Sequence, residues 1–317
     1  MFHTSDKLSG VRIRYARKIR RKAHLRSKFL VRAFAEVPRQ HYLGPGPWKV
    51  LTSRKRGLRW RANNFGYRLT PNSHPRYIYD DILVGIFPER LLNNGLPSAL
   101  ARWFDNLELK RGKRVIHVGC GTGYYSAILA HVVGPSGHVT AVEIDDELAP
   151  RANANLSHLA HVEVVHGDGS VFDFSNADAV FINAGATHVP ARWIDSLRVG
   201  ARLMFSLIST HEVSMPTVFS RINGQIRSRA SFWRSRLAGV MLRVWRHESG
   251  YEVTPISGVG IFPCVGAIDR EADSAVARAL AAGGYESIRS LRRDDHARDE
   301  NCWLHDKGLC LSRLEWR

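Results

Sequence analysis

The sequence predicts an α/β fold with a doubly wound, Rossmann-like sheet that has helices on both faces. The first observation is Val115–Ser126, where an apolar run leads through a glycine-rich turn into a helix-like segment. The second is the apolar run Val139–Ile144, followed by two more, Val162–His166 and Ala177–Ile182. Strand-like runs that alternate with helical stretches are typical of βαβ units and a parallel sheet.

The turn after the first strand contains Gly119, Gly121 and Gly123. Glycine reaches backbone angles that a Cβ forbids and lets a ligand approach the main chain. The spacing Gly-x-Gly-x-Gly differs from the dinucleotide pattern Gly-x-Gly-x-x-Gly. The turn alone is therefore weak evidence, and the residues around it decide its meaning.

Polar residues stand at the ends of the following strands. Glu143 lies 24 positions after Gly119, near the end of the second run. In doubly wound sheets an acidic residue about 20 positions past the turn binds ribose hydroxyls at the carboxyl ends of the strands. Asp168 follows the third run within Gly167-Asp168-Gly169, and Asn183 directly follows the fourth run, which we expect to stop at Ile182. This set predicts a nucleoside cofactor.

The same set resembles the class I S-adenosylmethionine-dependent methyltransferases. The resemblance implies that the glycine turn meets the methionine part, that Glu143 holds the ribose and that Asp168 lies beside the adenine. The implied cofactor is S-adenosyl-L-methionine. The cofactor-binding residues are then His117, Gly119, Cys120, Gly121, Thr122, Gly123, Tyr124, Glu143, Ile144, Gly167, Asp168, Gly169 and Asn183. His117 lies in an apolar strand, where a histidine is more often packed than catalytic.

A narrower resemblance covers roughly residues 29–207. A helix-like segment followed by Val37-Pro38-Arg39, then Tyr79-Asp80-Asp81, then Pro97 opening a helix, is similar to the protein-L-isoaspartate O-methyltransferases. This resemblance implies methyl transfer to a carboxylate. Because a carboxylate is already ionised at neutral pH, such a reaction needs no general base.

One segment departs from that family. Its members carry Thr-Ile-Ser before the residue-proline pair, in a loop over the substrate carboxylate, whereas this chain has Asn93-Asn94-Gly95. An asparagine amide can still donate hydrogen bonds to a carboxylate. A plain turn is an equal alternative, because both residue types tolerate left-handed backbone angles. We take Asn93, Asn94 and Asp80 as candidates for substrate positioning.

The net charge of +17 is confined to the N-terminal fifth of the chain. Residues 1–68 hold 19 Lys and Arg against two acids, while the remaining residues balance at 27 against 27. A basic run of this kind suits phosphates, yet no aromatic residues for base stacking are interleaved with it. We favour a solvated helix face or a mobile arm over nucleic-acid binding. The predicted divisions are a basic helical arm at 1–68, a cofactor-binding core at 69–210 and a C-terminal α+β appendage at 211–317.

The composition is that of a globular chain of ordinary hydrophobicity. No apolar stretch reaches the roughly 18 residues of a membrane span, and no leader is evident. We expect a cytoplasmic protein with reduced cysteines. Cys302, His305 and Cys310 lack a standard zinc spacing, so the sequence predicts no metal.

The appendage shows strand, turn and helix signals. Val240–Trp245 and Tyr251–Thr254 are predicted strands, Glu271–Ala282 a helix, and Cys302–His305 a strand paired with Leu309–Ser312. We expect these elements to pack on the core or to complete its sheet with antiparallel strands.

The leading functional hypothesis is O-methylation of a carboxylate such as protein L-isoaspartate. One alternative keeps the cofactor and changes the acceptor to a natural product, a modified peptide or RNA. Another is a protein that binds S-adenosylmethionine without turnover. The expected partner is a protein, peptide or small-molecule carboxylate.

Overall fold

A computed structural model describes residues 8–51, 66–210, 221–222, 225–226, 239–306 and 309–316. The chain divides into two compact units. Unit 1 comprises Met1–Gly112, Cys120–His138 and Glu147–Glu163, and unit 2 comprises Lys113–Gly119, Val139–Asp146 and Val164–Arg317.

The described residues contain seven α-helices. They are α1 (Ser9–Ala23), α2 (Lys28–Glu36), α3 (Pro97–Asn106), α4 (Tyr124–Val133), α5 (Leu148–Leu156), α6 (Ala191–Asp195) and α7 (Arg270–Ala282). Short 3-10 helices lie at Arg39–Tyr42, Pro75–Ile78, Pro88–Arg90 and Tyr285–Ser287.

Sixteen strands accompany them in the same part of the chain. They are β1 (Lys49–Leu51), β2 (Tyr67–Leu69), β3 (Leu83–Phe87), β4 (Leu92–Asn93), β5 (Arg114–Val118), β6 (His138–Glu143), β7 (Val162–His166), β8 (Ala179–Ala186), β9 (Arg202–Ile208), β10 (Arg221–Ile222), β11 (Gln225–Ile226), β12 (Gly239–Arg246), β13 (Tyr251–Val259), β14 (Ser290–Arg292), β15 (Cys302–Asp306) and β16 (Leu309–Ser312).

Ten strands form one sheet in the order β15-β16-β14-β13-β12-β9-β8-β5-β6-β7. Strands β5, β8 and β9 pair in parallel, and the pairs from β9–β12 to β15–β16 are antiparallel. The chain winds outward from β5 through β6 to β7 and then returns to the other side of β5 as β8. The winding direction therefore reverses between β5 and β8, and ligands bind at such a switch point in open α/β sheets.

The core of unit 2 follows from the apolar runs of its strands. Every residue of β5 after Arg114 is buried, as are six of the seven residues of β9. Continuous burial is typical of parallel strands that are covered on both faces, so these strands lack the polar-apolar alternation of an exposed sheet. Trp193, Phe174 and Phe205 are fully buried in the same cluster.

Unit 1 contains the basic helix α1, which buries Tyr15, Ala16, Ile19 and Ala23. The Tyr15 and Phe34 rings pack edge to face with centroids 6.0 Å apart. The basic side chains lie on the opposite face, as for Arg14, Arg17, Arg20 and Arg21. Helix α1 thus has a solvated basic face, in agreement with the interpretation favoured from sequence.

Most predicted elements are confirmed within a residue or two, but two strands are longer than predicted. The strand predicted at Tyr251–Thr254 runs to Val259 as β13, and the fourth strand is longer as well. The sequence predicts it to stop at Ile182, whereas β8 runs on to Ala186. The Gly185 amide donates to the Phe262 carbonyl (2.7 Å), and the Cys264 amide donates to the Gly185 carbonyl (2.6 Å). The extension also pairs with β9, through Gly185 opposite Ser206 and Ala186 opposite Leu207. The segment at 262–264 is about eighty residues away in the chain, so no local signal could reveal its contact.

The appendage completes the sheet, as expected. Strands β12 to β16 are its antiparallel half, and α7 begins at a cap in which Asp269 accepts from the Ala272 amide (2.8 Å). The β15–β16 pair is confirmed, while residues 307 and 308 of its predicted turn lie outside the described residues. The domain boundaries at 68 and 210 stay predictions. Within the described ranges, no helix has the length and apolar character that crossing a membrane requires.

Candidate functional site

Hydrogen bonds join the carboxyl ends of the central strands in unit 2. The Gly119 amide, directly after β5, donates to the Val142 carbonyl of β6 (2.8 Å). The Gly167 amide, directly after β7, donates to the Glu143 carbonyl (2.9 Å). The three strand ends that carry the predicted cofactor residues therefore lie side by side.

Gly119 and Asn183 meet at the switch point between β5 and β8. Gly119 has a φ of 72°, and a Cβ there would lie 3.3 Å from the Asn183 carbonyl oxygen. The Asn183 side-chain amide donates to the Gly119 carbonyl (3.3 Å). A residue with a side chain would be strained in backbone conformation and crowded against β8, which explains the glycine.

Glu143 ends β6 and is 6 % exposed. Its Oε1 accepts hydrogen bonds from the Ile144 amide (3.0 Å) and the Asp145 amide (3.1 Å). Two backbone donors on one oxygen hold the carboxylate in a single orientation. The neighbouring Ile144 side chain is 42 % exposed, so the strand end presents an apolar surface beside an oriented carboxylate.

Asp168 begins the loop after β7, and its Oδ1 accepts from the Ser170 amide (2.8 Å). The adjacent Gly169 leaves no room for a Cβ, which would lie 2.1 Å from Val118 Cγ1. Burial, followed by the charge of Asp168, raises the pKa of the Cys264 thiol to about 12, so the thiol stays neutral. Cys264 comes from the appendage. No sequence signal places it near this loop, because its segment is brought there by bonds to Gly185 and Thr187, about eighty positions away.

The rest of the glycine turn opens helix α4 in unit 1. Gly121 and Gly123 have φ values of 60° and 89°. Within the described part of the chain, and apart from Gly121 and its two chain neighbours, no heavy atom lies within 4 Å of the position that a Cβ on Gly121 would take. The Thr122 carbonyl accepts from the Asn155 side chain (2.8 Å). A turn that leads into a helix N-terminus presents amide donors and a positive dipole end, which suits a polar cofactor group.

His117 is fully buried within β5, and its ring centroid lies 5.4 Å from that of Phe181. Burial lowers the pKa of His117 to about 3, so the imidazole is neutral at physiological pH. This environment supports a packed side chain. A cofactor contact by His117 remains a prediction from the family resemblance.

We expect the burial of His117 to make stability decrease in acid. Below about pH 6.5 the His117 imidazole is protonated in the unfolded chain, whereas in the folded chain it stays neutral down to about pH 3. The free energy of unfolding therefore falls by roughly 1.4 kcal/mol per pH unit in this range. The difference in unfolding free energy between the wild type and His117→Gln should change by roughly 2 kcal/mol between about pH 7 and pH 5. Denaturant titrations at both pH values measure it. A difference that is the same at both would contradict a neutral buried imidazole.

The Asn93-Asn94-Gly95 segment of unit 1 is a fixed element. Asn93 lies in β4, where its Oδ1 accepts from the Tyr67 hydroxyl and its Nδ2 donates to the Leu91 carbonyl (2.6 Å). Burial raises the pKa of Tyr67 to about 12, so the phenol remains a donor. Only Gly95 of the three has a positive φ, at 53°. Asn93 and Asn94 therefore do not use the left-handed backbone angles that a turn would allow them, and their role in positioning a substrate stays a prediction.

Arg39 organises this part of unit 1 from a completely buried position. Its Nε donates to Asn94 Oδ1 (3.3 Å), and its two terminal nitrogens donate to the carbonyls of Ile78 (2.8 Å), Asp80 (3.1 Å) and Ile82 (3.0 Å). In the sequence, Val37-Pro38-Arg39 stands out only by its resemblance to a family motif. The signal was present in that motif, but its meaning depends on carbonyls some forty residues away.

Asp80 and Asp81 connect to the basic helix α1. Lys18 forms an ion pair with Asp80, and Lys22 Nζ lies 2.8 Å from Asp81 Oδ2. Burial raises the pKa of Asp80, but the hydrogen bond from Lys18 and the Asp81 amide outweigh it, and the net pKa is lowered. Asp81 also accepts from the Ser98 amide (2.8 Å) and so caps α3. Asp80 as a substrate-positioning residue stays a prediction.

A sheet that reverses direction beside a glycine turn, with an oriented carboxylate at the next strand end, is the fold of a class I S-adenosylmethionine-dependent methyltransferase. The profile of the family Protein-L-isoaspartate(D-aspartate) O-methyltransferase (PCMT) matches residues 68–231. The chain belongs to this protein-L-isoaspartate O-methyltransferase family, whose cofactor is S-adenosylmethionine.

Individual relatives agree with the family assignment. The chain is 32% identical over 155 residues to a protein-L-isoaspartate O-methyltransferase of Methanothrix thermoacetophila, covering 43% of this chain and 74% of the relative. It is 29% identical over 185 residues to that of Thermotoga maritima, covering 56% of this chain but only 50% of the relative. The chain thus spans about half the length of the latter.

A solved structure confirms the fold. It is a putative protein-L-isoaspartate O-methyltransferase from Plasmodium falciparum in complex with S-adenosyl-L-homocysteine, with a TM-score of 0.55 at 15% identity. The match covers 80% of this chain and 97% of that one.

Proposed function

We propose that this protein transfers the methyl group of S-adenosylmethionine to a carboxylate, with L-isoaspartyl residues of proteins as the acceptor. The observation that carries the proposal is the oriented Glu143 carboxylate at the end of β6, one strand from the switch point, in a chain that belongs to this family. The same acceptor class is printed in the names of the Methanothrix and Thermotoga relatives.

The residues present fit the cofactor. Glu143 would accept from the ribose hydroxyls, which are the donors that a strand-end carboxylate binds in such sheets. Asp168 and the exposed Ile144 would flank the adenine, the carboxylate as a hydrogen-bond acceptor and the isoleucine as an apolar surface. The open side of Gly121 leaves main chain accessible for the methionine part. When bound, S-adenosylmethionine supplies an electrophilic methyl group on a sulfonium centre.

Methyl transfer to a carboxylate requires no proton transfer by the protein. The acceptor carboxylate is ionised at neutral pH and attacks without losing a proton. The protein contributes by holding the two reactants in line and by excluding water, and both are large contributions to rate. Burial lowers the pKa of His117 to about 3, which makes its imidazole a weak base, in keeping with a reaction that has no general base.

Acceptor positioning by Asn93 and Asn94 is part of the proposal. Both amides are held by buried or half-buried partners, Tyr67 and Arg39. A side-chain amide that is fixed in this way is preorganised, so little ordering free energy is lost when it donates to a substrate. Fixed asparagine amides fit a substrate-positioning loop and a structural loop equally. The KM of an Asn93→Ala variant separates these two roles.

The test is incubation of the full chain with radiolabelled S-adenosylmethionine and a peptide that contains one L-isoaspartyl residue. The control is the same peptide with L-aspartate. We expect a methyl ester on the first peptide that is released by mild base, and none on the second. Asn93→Ala should raise KM for the peptide while cofactor affinity, measured by calorimetry, stays unchanged.

Each failure has a separate meaning. Cofactor binding without transfer to the isoaspartyl peptide would overturn the acceptor assignment. If no carboxylate or peptide in an acceptor panel then yields S-adenosylhomocysteine, the protein is a sensor of the cofactor. If the full chain does not bind S-adenosylmethionine at all, the enzyme assignment is refuted. A cytoplasmic location remains a prediction.

A further inference from the structure

Four potential metal ligands converge in the C-terminal part of unit 2, beyond the residues that the family profile matches. They are His296, Cys302, His305 and Cys310, and one ligand atom of each lies within 4.8 Å of the others. Sequence spacing predicts no metal here, because the usual pairs of cysteines and histidines are missing. The fold adds His296, and only the tertiary structure makes the group a set of four.

Strand pairing puts three of the four on one face of the β15–β16 hairpin. His305 lies opposite Cys310, and Cys302 lies opposite Ser312. Positions 302 and 305 differ by an odd number, so in a regular strand their side chains would point to opposite faces. The register shifts between Cys302 and Leu304, and this β-bulge inserts the one residue that brings both side chains to the same face.

His296 arrives from the preceding loop with its ring orientation fixed. Its Nδ1 lies 2.9 Å from the Asp294 carbonyl oxygen and 3.4 Å from Asp294 Oδ2. An Nδ1–H that donates to Asp294 leaves Nε2 with its lone pair, and Nε2 lies 3.7 Å from Cys302 Sγ. Histidine ligands of metals are commonly oriented by such a second hydrogen bond to a carbonyl or carboxylate.

The burial of the cluster also favours a ligand. The exposed fractions of Cys302 and Cys310 are 5 % and 0 %. Nδ1 of His305 is buried and has no hydrogen-bond partner among the described residues. A buried polar atom without a partner is unfavourable by roughly 1–3 kcal/mol. Coordination of a metal ion within the cluster would give the His305 imidazole a binding partner.

The donor set indicates which metal. Two thiolates and two imidazoles in a tetrahedral arrangement are typical of zinc. With Zn–S near 2.3 Å and Zn–N near 2.0–2.1 Å, tetrahedral ligand atoms lie about 3.3–3.8 Å apart. The 3.7 Å between Cys302 Sγ and His296 Nε2 is within that range. All ligand atoms lie within 4.8 Å of one another, so distances between ligand atoms need to shorten by no more than about 1 Å for tetrahedral coordination.

We propose that His296, Cys302, His305 and Cys310 bind a single Zn²⁺ ion, with loss of the two thiol protons to solvent. Four protein ligands leave no open coordination position, which is typical of a structural rather than a catalytic site. The ion joins the loop at Asp294–His296 to the β15–β16 hairpin at the edge of the ten-stranded sheet. It thereby stabilises the last strands of the chain.

The test is the metal content of the untagged full chain, purified without chelator and measured by plasma mass spectrometry. We expect one zinc per chain, and tetrahedral ligand-field bands with sulfur-to-metal charge transfer when Co²⁺ replaces it. Cys302→Ser and Cys310→Ser each keep one thiolate, so each should lose about half of the charge-transfer intensity and bind zinc at least roughly tenfold more weakly. Cys264→Ser, a buried cysteine of the same unit outside the cluster, should keep full zinc content.

His296→Gln provides a second variant if the cysteine variants fail to fold. It removes the ligand from the loop, leaves the hairpin intact and should weaken zinc binding while circular dichroism stays that of the wild type. Metal-free protein whose melting temperature does not rise on addition of ZnCl₂ would overturn the proposal. So would wild-type zinc content in all three variants, or a mass that shows a Cys302–Cys310 disulfide in the freshly purified protein.

Discussion

Glu143→Ala is expected to weaken S-adenosylmethionine binding by about one to three powers of ten. The carboxylate lies at the end of β6 and is oriented by the Ile144 and Asp145 amides. A bond to a charged group contributes roughly 1.5–3 kcal/mol, and 1.4 kcal/mol corresponds to about one power of ten. Isothermal titration calorimetry with S-adenosylmethionine measures the loss directly.

Two further variants separate binding from loop structure. Glu143→Gln keeps an acceptor for the two amides and removes only the charge, so it should weaken the cofactor and leave the melting temperature nearly unchanged. Glu163→Ala removes an exposed carboxylate and should affect neither quantity. Unchanged affinity with a lowered melting temperature in Glu143→Ala would show that the residue serves only the loop, and the assigned cofactor geometry would be wrong.

The largest loss of stability is expected for Arg39→Met. The side chain is fully buried and donates to Asn94 and to the carbonyls of Ile78, Asp80 and Ile82. Each buried acceptor that loses its donor raises the free energy of the folded state by roughly 1–3 kcal/mol. We therefore expect the free energy of unfolding to fall by at least about 3 kcal/mol, measured by denaturant titration.

The control for this variant is Arg32→Met on helix α2. Arg32 pairs with Glu36 one turn along the helix, and its side chain is 64% exposed, so its loss should cost no more than about 0.5 kcal/mol. Arg39→Lys should be intermediate, because an ammonium cannot reproduce the planar fork of donors. Similar losses for Arg39→Met and Arg32→Met would contradict the organising role of Arg39.

The adjacency of the strand ends that carry the candidate cofactor residues was predictable from sequence because its signals are local. A glycine turn, the end of the next strand and a carboxylate are separated by short stretches whose periodicity specifies strand or helix. The sheet then brings consecutive strand ends together without further information. Gly119, Glu143 and Asp168 were found for this reason, and the bonds among their strand ends confirm that they are neighbours.

The candidate residues for positioning the methyl acceptor were less predictable from sequence. Asn93 and Asn94 were noticed, but the sequence left a substrate loop and a plain turn equally open. Their hydrogen bonds come from Tyr67 and Arg39, which are 26 and 55 positions away. Nothing in the local pattern encodes such a distant partner, so the loop could be interpreted only after folding.

By itself the sequence determined the fold class, the family and the strand-end residues, because alternating hydrophobic patterns and glycine turns act over a few residues. Tertiary structure decided the extent of β8, the neighbours of Asp168 and the role of Arg39. It also decided the cluster of His296, Cys302, His305 and Cys310. That cluster depends on a one-residue bulge and on a loop packed against a hairpin. Strand register and loop packing result from contacts between residues far apart in the chain. The spacing of residues within a short segment does not predict such contacts.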